Sequence, residues 1–284
     1  MKILFIGGSR FVGPLVIEEL LERGHEVTVF NRGLLRQSYP KEVTFVKGNR
    51  NRGFPFKERF DSVIDTCAYR EKQTERVIRE LKFDFLVHIS TAAVYKKTET
   101  FPLIEESPLG DWPVWGDYNK GKVECEKTLA VSGLPYATIR PVYILGPKNY
   151  LARESFIYSK IKNGLPTILP GNGRALIQFI FADEVAETIV LIAENKNEGA
   201  FNIAGNDTIT LKGLVEEMSK IVGKEPIIKY NLSADSEKFN EVEFPFANEN
   251  FAVSNEKIKR LGIKFVPLLE GLRRDYKNYY RHVI

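Results

Sequence analysis

The sequence has few of the residues on which disulfide frameworks, metal centres and membrane anchors depend. Its 284 residues include two cysteines, Cys67 and Cys125, and three histidines, His25, His88 and His282. Two cysteines make no disulfide framework, and with histidines so scattered they supply no zinc site, so no metal is expected. No apolar run reaches the roughly 18 residues that a membrane-spanning helix needs. The opening MKILFIGGSRFVG turns from apolar residues straight into glycine, without the small-residue cleavage site of a signal peptide. Charge of one sign is lacking too. The 41 basic and 37 acidic residues leave +4, too slight a bias to argue nucleic-acid binding from the total. Hydrophobic residues at 43% and charged ones at 27% exclude a disordered, collagen-like or coiled-coil chain. A reduced, cytoplasmic protein with no membrane partner is the expectation.

What is present is a regular alternation. Lys2 to Ile6 is a short β-branched and aromatic run. GGSRFVG follows it, and then Val12, Leu15, Val16 and Leu20 recur at helical spacing, with Gly24 where a helix would end. Strands are predicted over 26–30, 43–46, 62–64 and 85–89, with a charged helix at about 71–81. Short continuous apolar strands between helices mark a parallel sheet covered on both faces. Residues 1 to about 150, with about 176–204 returning to supply a further helix and strand, are therefore expected to form a doubly wound α/β domain. Residues from about 151 to 175 and from 205 to 284 are expected to form a smaller substrate lobe. Charge is uneven along the chain. Residues 32–59 carry eight basic side chains against Glu42 and Glu58, and 235–249 carry five acidic ones against Lys238. Solvated surface is the plain reading of both.

A strand, then Gly7-Gly8-Ser9-Arg10-Phe11-Val12-Gly13, then a helix is the setting in which a glycine turn has chemical meaning. The backbone approaches a pyrophosphate, and the helix N-terminus offers N–H donors and positive dipole. The plain alternative is a tight turn between strand and helix. The second strand ends in Asn31-Arg32, where an NAD site usually has a carboxylate for the ribose. A carboxylate there would repel a 2′-phosphate and Arg32 would attract one, with Arg10 and Arg36 as further cations. NADP is therefore expected over NAD.

Tyr118 and Lys122 stand four apart in what reads as a helix running to about Ala130, so they share one face. A phenol, with a reference pKa of about 10, exchanges a proton near neutrality only if a cation favours its phenolate. Lys122 and an oxidised nicotinamide are candidates. Such a pair also arises freely on helix surfaces. The strand FLVHIS ends in Ser90-Thr91 at a carboxyl end, where open α/β sheets place their ligand crevice. There Thr91 is positioned to hydrogen-bond a carbinol oxygen, or simply to satisfy its own backbone. Trp112 and Trp115, just before Tyr118, either cover a substrate or anchor a long loop.

These residues carry a resemblance. In GGSRFVG, HISTAAVY, Tyr118/Lys122, RPVYILGP, FIFADEVA, FNIAGNDTITL and LLEGLRRDY the chain resembles the extended short-chain dehydrogenases/reductases of the NAD(P)-dependent epimerase/dehydratase type. Its GGSRF and FNRG spellings are similar to the atypical branch that includes the chloroplast stem-loop-binding proteins. The resemblance implies Tyr118 as general acid/base, Lys122 on the nicotinamide ribose and Thr91 at the reacting oxygen. It implies a dinucleotide site drawing on Gly7, Ser9, Arg10, Phe11, Val12, Gly13, Asn31, Arg32, Arg36, Asn49, Thr66, Ala68, Ser90, Tyr118, Lys122 and Pro141. A small-molecule substrate is implied, sugar-like and in many relatives nucleotide-linked, and a homodimer is compatible with it.

The chain also departs from the family pattern. Arg10 stands at the usual middle glycine, Asn49 where an Asp is common, and Tyr143 where sugar-nucleotide epimerases carry an Asn. Gln178 occupies the region of an Arg that typically grips a diphosphate, and Arg174 lies upstream. Trp115, Tyr143, Arg174 and Gln178 are thus the candidate substrate residues. Epimerase, dehydratase and reductase chemistry all remain open, because the same three side chains serve each. The alternative is an RNA-binding or ribonucleolytic protein on a retained dehydrogenase scaffold. The basic stretch favours it, and the lack of interleaved stacking aromatics and the intact Tyr118/Lys122 pair argue against it.

Overall fold

The computed structural model describes residues 1–35, 39–234, 238 and 240–284. Its strands are β1 (Lys2–Ile6), β2 (Glu26–Asn31), β3 (Thr44–Lys47), β4 (Arg59–Asp65), β5 (Lys82–Ile89), β6 (Tyr136–Pro141), β7 (Tyr143–Leu145), β8 (Thr167–Pro170), β9 (Leu176–Phe181), β10 (Gly199–Ile203), β11 (Thr208–Thr210) and β12 (Ile228–Asn231). The principal helices are α1 (Val12–Glu22), α2 (Glu71–Glu80), α3 (Gly116–Ala130), α4 (Glu154–Lys162), α5 (Ala182–Asn195) and α6 (Leu211–Val222).

Seven strands form one parallel sheet in the order β10-β6-β5-β4-β1-β2-β3. This is a doubly wound α/β fold. Strand order reverses between β1 and β4, so the chain leaves their carboxyl ends in opposite directions and opens a crevice there. The apolar runs of the central strands are buried on both faces: Ile3, Leu4, Phe5, Val63 and Ile64 are fully enclosed. On one face Ile3 and Phe5 pack with Val16, Ile17 and Leu20 of α1 and Val185 and Ile189 of α5. On the other, Leu4 and Ile6 pack with Phe30, Phe56, Phe60 and Val77.

A second core gathers Tyr143, Leu145, Tyr158, Phe179, Phe181, Leu214, Phe244, Phe246 and Tyr280. The small sheet β11-β9-β7 runs through it. Two boundaries differ from the sequence expectation. Strand β9 sits in the small sheet, because alternation sends Ile177, Phe179 and Phe181 to the second core while Ile180 faces the first. Phe251, Val253, Ile258, Ile263 and Phe265, expected in the lobe, pack instead with the core of the large sheet.

Candidate active site

The crevice is a cleft of about 630 Å³ along the carboxyl ends of β1, β2, β4 and β5. Its floor is the turn after β1. Gly7 takes φ +105°, and a Cβ there would lie 2.3 Å from Thr66 Oγ1, so only glycine lets the loop run this close to the end of β4. Gly13 is needed for a different reason. A Cβ on it would come within 2.6 Å of the Gly8 backbone, which holds the first turn of α1 against the loop. The family's middle glycine is replaced without lifting the turn. Arg10 is exposed and lines the cleft, its guanidinium 5.7 Å from the Tyr150 ring, and the positive φ falls on Phe11 at +51°. Positive φ at a bulky residue stores strain of about 1–3 kcal/mol, held here by the packed first turn of the helix. Phe11 caps the helix without a side-chain hydrogen bond; Gly13 N donates to Arg10 O (2.8 Å) and Pro14 has no N–H, so what the first turn offers an anion is the Val12 N–H and the helix dipole.

Asn31 Nδ2 donates to Gly7 O (2.8 Å) and to Tyr39 Oη (2.8 Å), and its Oδ1 accepts from Gly33 N (2.9 Å). The amide therefore ties the end of β2 to the glycine loop. Arg32 is exposed at the lip of the cleft, and among the described residues that line it there is no carboxylate. Ser9, Val12, Asn49, Thr66, Ser90 and Pro141 line it as expected from the resemblance. Ser90 also donates from its hydroxyl to Glu126, which is paired with Arg140 in the core. Arg36 lies outside the described residues. Ala68 is a correction: it is wholly buried and does not line the cleft, although Cys67 and Tyr69 on either side of it do.

Three polar side chains missed in the sequence reading lie along the same cleft. Arg50, counted there among the solvated cations, is 8% exposed and grips Asp65 with both terminal nitrogens (2.6 and 2.8 Å). Burial alone would raise the Asp65 carboxyl, but the guanidinium holds it below the ordinary carboxylate value. Tyr69 and Tyr150 flank the far end. Beneath them His88, opposite Asp65 in register, is pushed down to about 3 by burial and by the charges of Lys122 and Arg50, against the pull of Asp65.

That displacement has a thermodynamic consequence. The unfolded chain protonates His88 at about 6.5 and the folded chain refuses the proton, so this residue withdraws stability as pH falls from about 6.5 toward 3. Glu154 and Glu184, both raised to about 7 by burial, act with the opposite sign between about 4.5 and 7. The expected result is therefore a difference. Thermal melts between pH 8 and 4 should show wild type losing stability relative to His88→Gln as acidity rises, and parallel curves would refute the buried neutral imidazole.

Tyr118 and Lys122 both emerge from α3 into the cleft. Lys122 is buried, its Nζ 2.6 Å from Ile89 O and 4.7 Å from the centre of the Tyr69 ring, and burial lowers its pKa. The Tyr118 ring is partly exposed, but its hydroxyl is set down in the cleft. Burial there raises its pKa, while the Thr91 hydroxyl and the Arg153 charge pull it down. Thr91 also caps the turn Ala92–Val94 through Ala93 N (3.2 Å). Tyr118, Thr91 and Lys122 thus meet at the carboxyl end of β5.

The candidate substrate residues do not converge there. Trp115 and Tyr143 pack on each other, and Tyr143 Oη accepts from Ala247 N (3.3 Å). Gln178 is a correction. Its buried amide donates to Gly205 O (2.7 Å) and accepts from Val253 N (2.9 Å), which turns it into the core, and it does not line the cleft. Arg174 is another: it borders a separate hollow of about 340 Å³ with Lys97, Asn172 and Asn248, which shares no lining residue with the cleft.

Comparison with known proteins agrees with this fold. Residues 75–204 match the model of the NAD dependent epimerase/dehydratase family. The chain is 31% identical to the chloroplast stem-loop binding protein of 41 kDa b from Arabidopsis thaliana, over 97% of this chain and 78% of that protein. It is 24% identical to the UDP-glucose 4-epimerase of Corynebacterium glutamicum, over 78% and 81%. Among solved structures, UDP-glucuronic acid 4-epimerase from Bacillus cereus in complex with NAD superposes with a TM-score of 0.81 at 17% identity, covering 100% of this chain and 99% of that one. UDP-glucose 4-epimerase from Thermus thermophilus in complex with NAD gives 0.78 at 20% identity and full coverage of both.

Proposed function

The chain belongs to the NAD dependent epimerase/dehydratase family, and from that premise we propose that it is an NAD(P)-dependent enzyme acting on a carbinol or keto carbon of a sugar-like substrate, free or nucleotide-linked. The observation that carries this reading is that Tyr118 and Lys122 line one end of the glycine-floored cleft, with the buried Thr91 hydroxyl bonded to the Tyr118 phenol behind them. The dinucleotide, when bound, supplies hydride exchange with that carbon. The glycine loop and the N-terminus of α1 hold its pyrophosphate, and Lys122 its nicotinamide ribose. Tyr118 holds the proton at the substrate oxygen and gives or takes it, while Thr91 donates a hydrogen bond that favours the phenolate. In this reading the substrate lies toward the second core, which draws residues from the proposed lobe of about 151–175 and 205–284. The basic stretch lends little to RNA binding, because Arg50 is spent on Asp65 and Arg59 on Asp84 (2.5 Å).

The finer proposal is a preference for NADP over NAD. The solved neighbours named above carry NAD, so the preference rests on this chain's own cation at the lip of the cleft and on the missing carboxylate. Calorimetric titration should show NADP⁺ binding about tenfold more tightly than NAD⁺, a difference of about 1.4 kcal/mol, and Arg32→Ala should erase it. Equal affinities in wild type would overturn the preference, and binding of neither dinucleotide would overturn the enzyme reading itself.

A further inference from the structure

The first turn of α1 is poor in what a pyrophosphate needs. Gly13 N is spent on Arg10 O, Pro14 has no N–H, and Val12 to Leu15 includes no charged side chain. The cation that stands closest in the chain is Arg10, two residues before the helix. Among the described residues its guanidinium has no carboxylate partner, and it lies over the Tyr150 ring, 5.7 Å from the centroid. Phe11 supports that ring from the glycine loop, its own ring meeting Tyr150 at 6.4 Å and close to a right angle. The loop that carries Tyr150 is itself fixed. A Cβ on Gly146, at φ +139°, would lie 3.6 Å from the Phe11 ring, so the two loops touch. Asn149 Nδ2 donates to Ile144 O (3.2 Å), Leu151 N to Asn149 Oδ1 (3.0 Å), and Tyr280 Oη to Gly146 O (2.7 Å).

The sequence expectation groups Arg10 with Arg32 around a 2′-phosphate, but their surroundings differ. Arg32 follows directly on β2, at the end of the cleft where an adenosine ribose would lie. Arg10 faces Tyr150, which belongs to the other end. Burial raises the pKa of both Tyr69 and Tyr118, and the nearby Tyr150 phenol adds to the rise in each. Arg10 therefore stands between the ribose end of the cleft and the Tyr118 end, which is where a dinucleotide carries its pyrophosphate. We infer that Arg10, steadied by the Tyr150 ring, binds that pyrophosphate in place of the missing helix donors, and that it does not read the 2′-phosphate. A guanidinium suits the task, because its planar fork meets phosphate oxygens in pairs. The inference rests on the proposed function and deepens it: Arg10 sets affinity for either dinucleotide, and Arg32 sets the choice between them. Tyr150 is a positioning residue, acting through the guanidinium.

The test is calorimetric titration of NAD⁺ and NADP⁺ against single and double variants of the full chain. Arg10→Ala should weaken both dinucleotides by the same factor, about ten- to hundredfold, the usual worth of hydrogen bonds to a charged group. Arg32→Ala should act on NADP⁺ alone. Tyr150→Ala should weaken both by about two- to fivefold, as for an exposed cation–ring contact, and Tyr150→Phe should keep wild-type affinity. In the Arg10→Ala background, Tyr150→Ala should cost nothing further. Both side chains are exposed, so melting temperatures should hold, and Arg10→Gln is the second variant should the alanine form lose its fold. A loss confined to NADP⁺ would return Arg10 to the 2′-phosphate and overturn the inference, as would a loss below about tenfold for both dinucleotides. An undiminished effect of Tyr150→Ala without Arg10 would put the ring on the dinucleotide itself and overturn its positioning role. If wild type bound neither dinucleotide, the proposed function would fall and this inference with it.

Discussion

Tyr118→Phe should lower turnover by about 10²- to 10⁴-fold, the usual worth of a positioned acid/base, while leaving dinucleotide affinity near wild type. The substitution removes one oxygen from a ring whose neighbours at the cleft mouth, Tyr69 and Tyr150, are unaffected. The glycine loop and helix α1, to which the proposed function assigns the dinucleotide, follow β1 and not α3. Activation of the phenol is not complete in the protein alone. Burial raises its pKa, the Thr91 hydroxyl and Arg153 only oppose that rise, and the Lys122 ammonium is turned to the Ile89 carbonyl. Phenolate character should therefore increase when positive charge arrives with the oxidised dinucleotide. A spectrophotometric titration following phenolate absorbance should show a Tyr118-dependent ionisation at lower pH with NADP⁺ than without it. Lys122→Met should impair both turnover and dinucleotide binding, because its ammonium lies in the cleft beside Tyr69. A Tyr118→Phe enzyme with wild-type kcat would remove the tyrosine from the chemistry altogether.

The features legible in the sequence are those set by local spacing. The glycine turn, the apolar runs of β1, β2, β4 and β5, and the four-residue step from Tyr118 to Lys122 each declare themselves within a dozen residues. What stayed hidden depends on strands far apart in the chain. Asn31 reads as a dinucleotide-site residue and lines the cleft, but its ties to Gly7 and Tyr39 form only once β2 lies beside β1. Gln178 reads as a stand-in for a diphosphate ligand, but the pairing of β9 with β11 and the bridge to Phe251 turn it inward. Phe244, Phe246 and Phe251 stand in a stretch with no helical or strand period, so nothing local announces that the first two join the second core and the third the core of the large sheet. Arg50 is the clearest case. Among eight basic residues it looked like one more solvated charge, and its partner Asp65 belongs to a strand that reaches it only because β4 sits beside β1 at the point where strand order reverses.

Breaking that pair should have the largest effect on stability of any single change at the cleft. Arg50 and Asp65 are both nearly enclosed, joined by two short bonds, and Arg50 Nη2 also donates to Gln73 O (2.8 Å) at the start of α2. Removing either partner strands the other's charge in the interior, which typically costs about 3–5 kcal/mol, or on the order of 10 °C in melting temperature for a chain of this size. Arg50→Met should show this loss, and it should weaken dinucleotide binding as well, because Arg50 lines the cleft and holds the turn between β3 and β4. Arg50→Met combined with Asp65→Leu should recover much of the stability, since two apolar side chains leave no uncompensated charge, but not the dinucleotide affinity. The pH dependence follows from the sign of the shift. The Asp65 pKa is lowered on folding, so the pair's contribution is fully present above the unfolded value of about 3.8 and is lost as pH falls through the lower folded value. At neutral pH, then, wild type and Arg50→Met should differ most; the gap should begin to narrow in mild acid, where the Asp65 left without Arg50 and raised by burial takes up a proton, and should close in strong acid. A single variant as stable as wild type at neutral pH would mean that the pair is open to solvent, and a double variant no better than the single one would mean that Arg50 acts through its bond to Gln73 rather than through its charge.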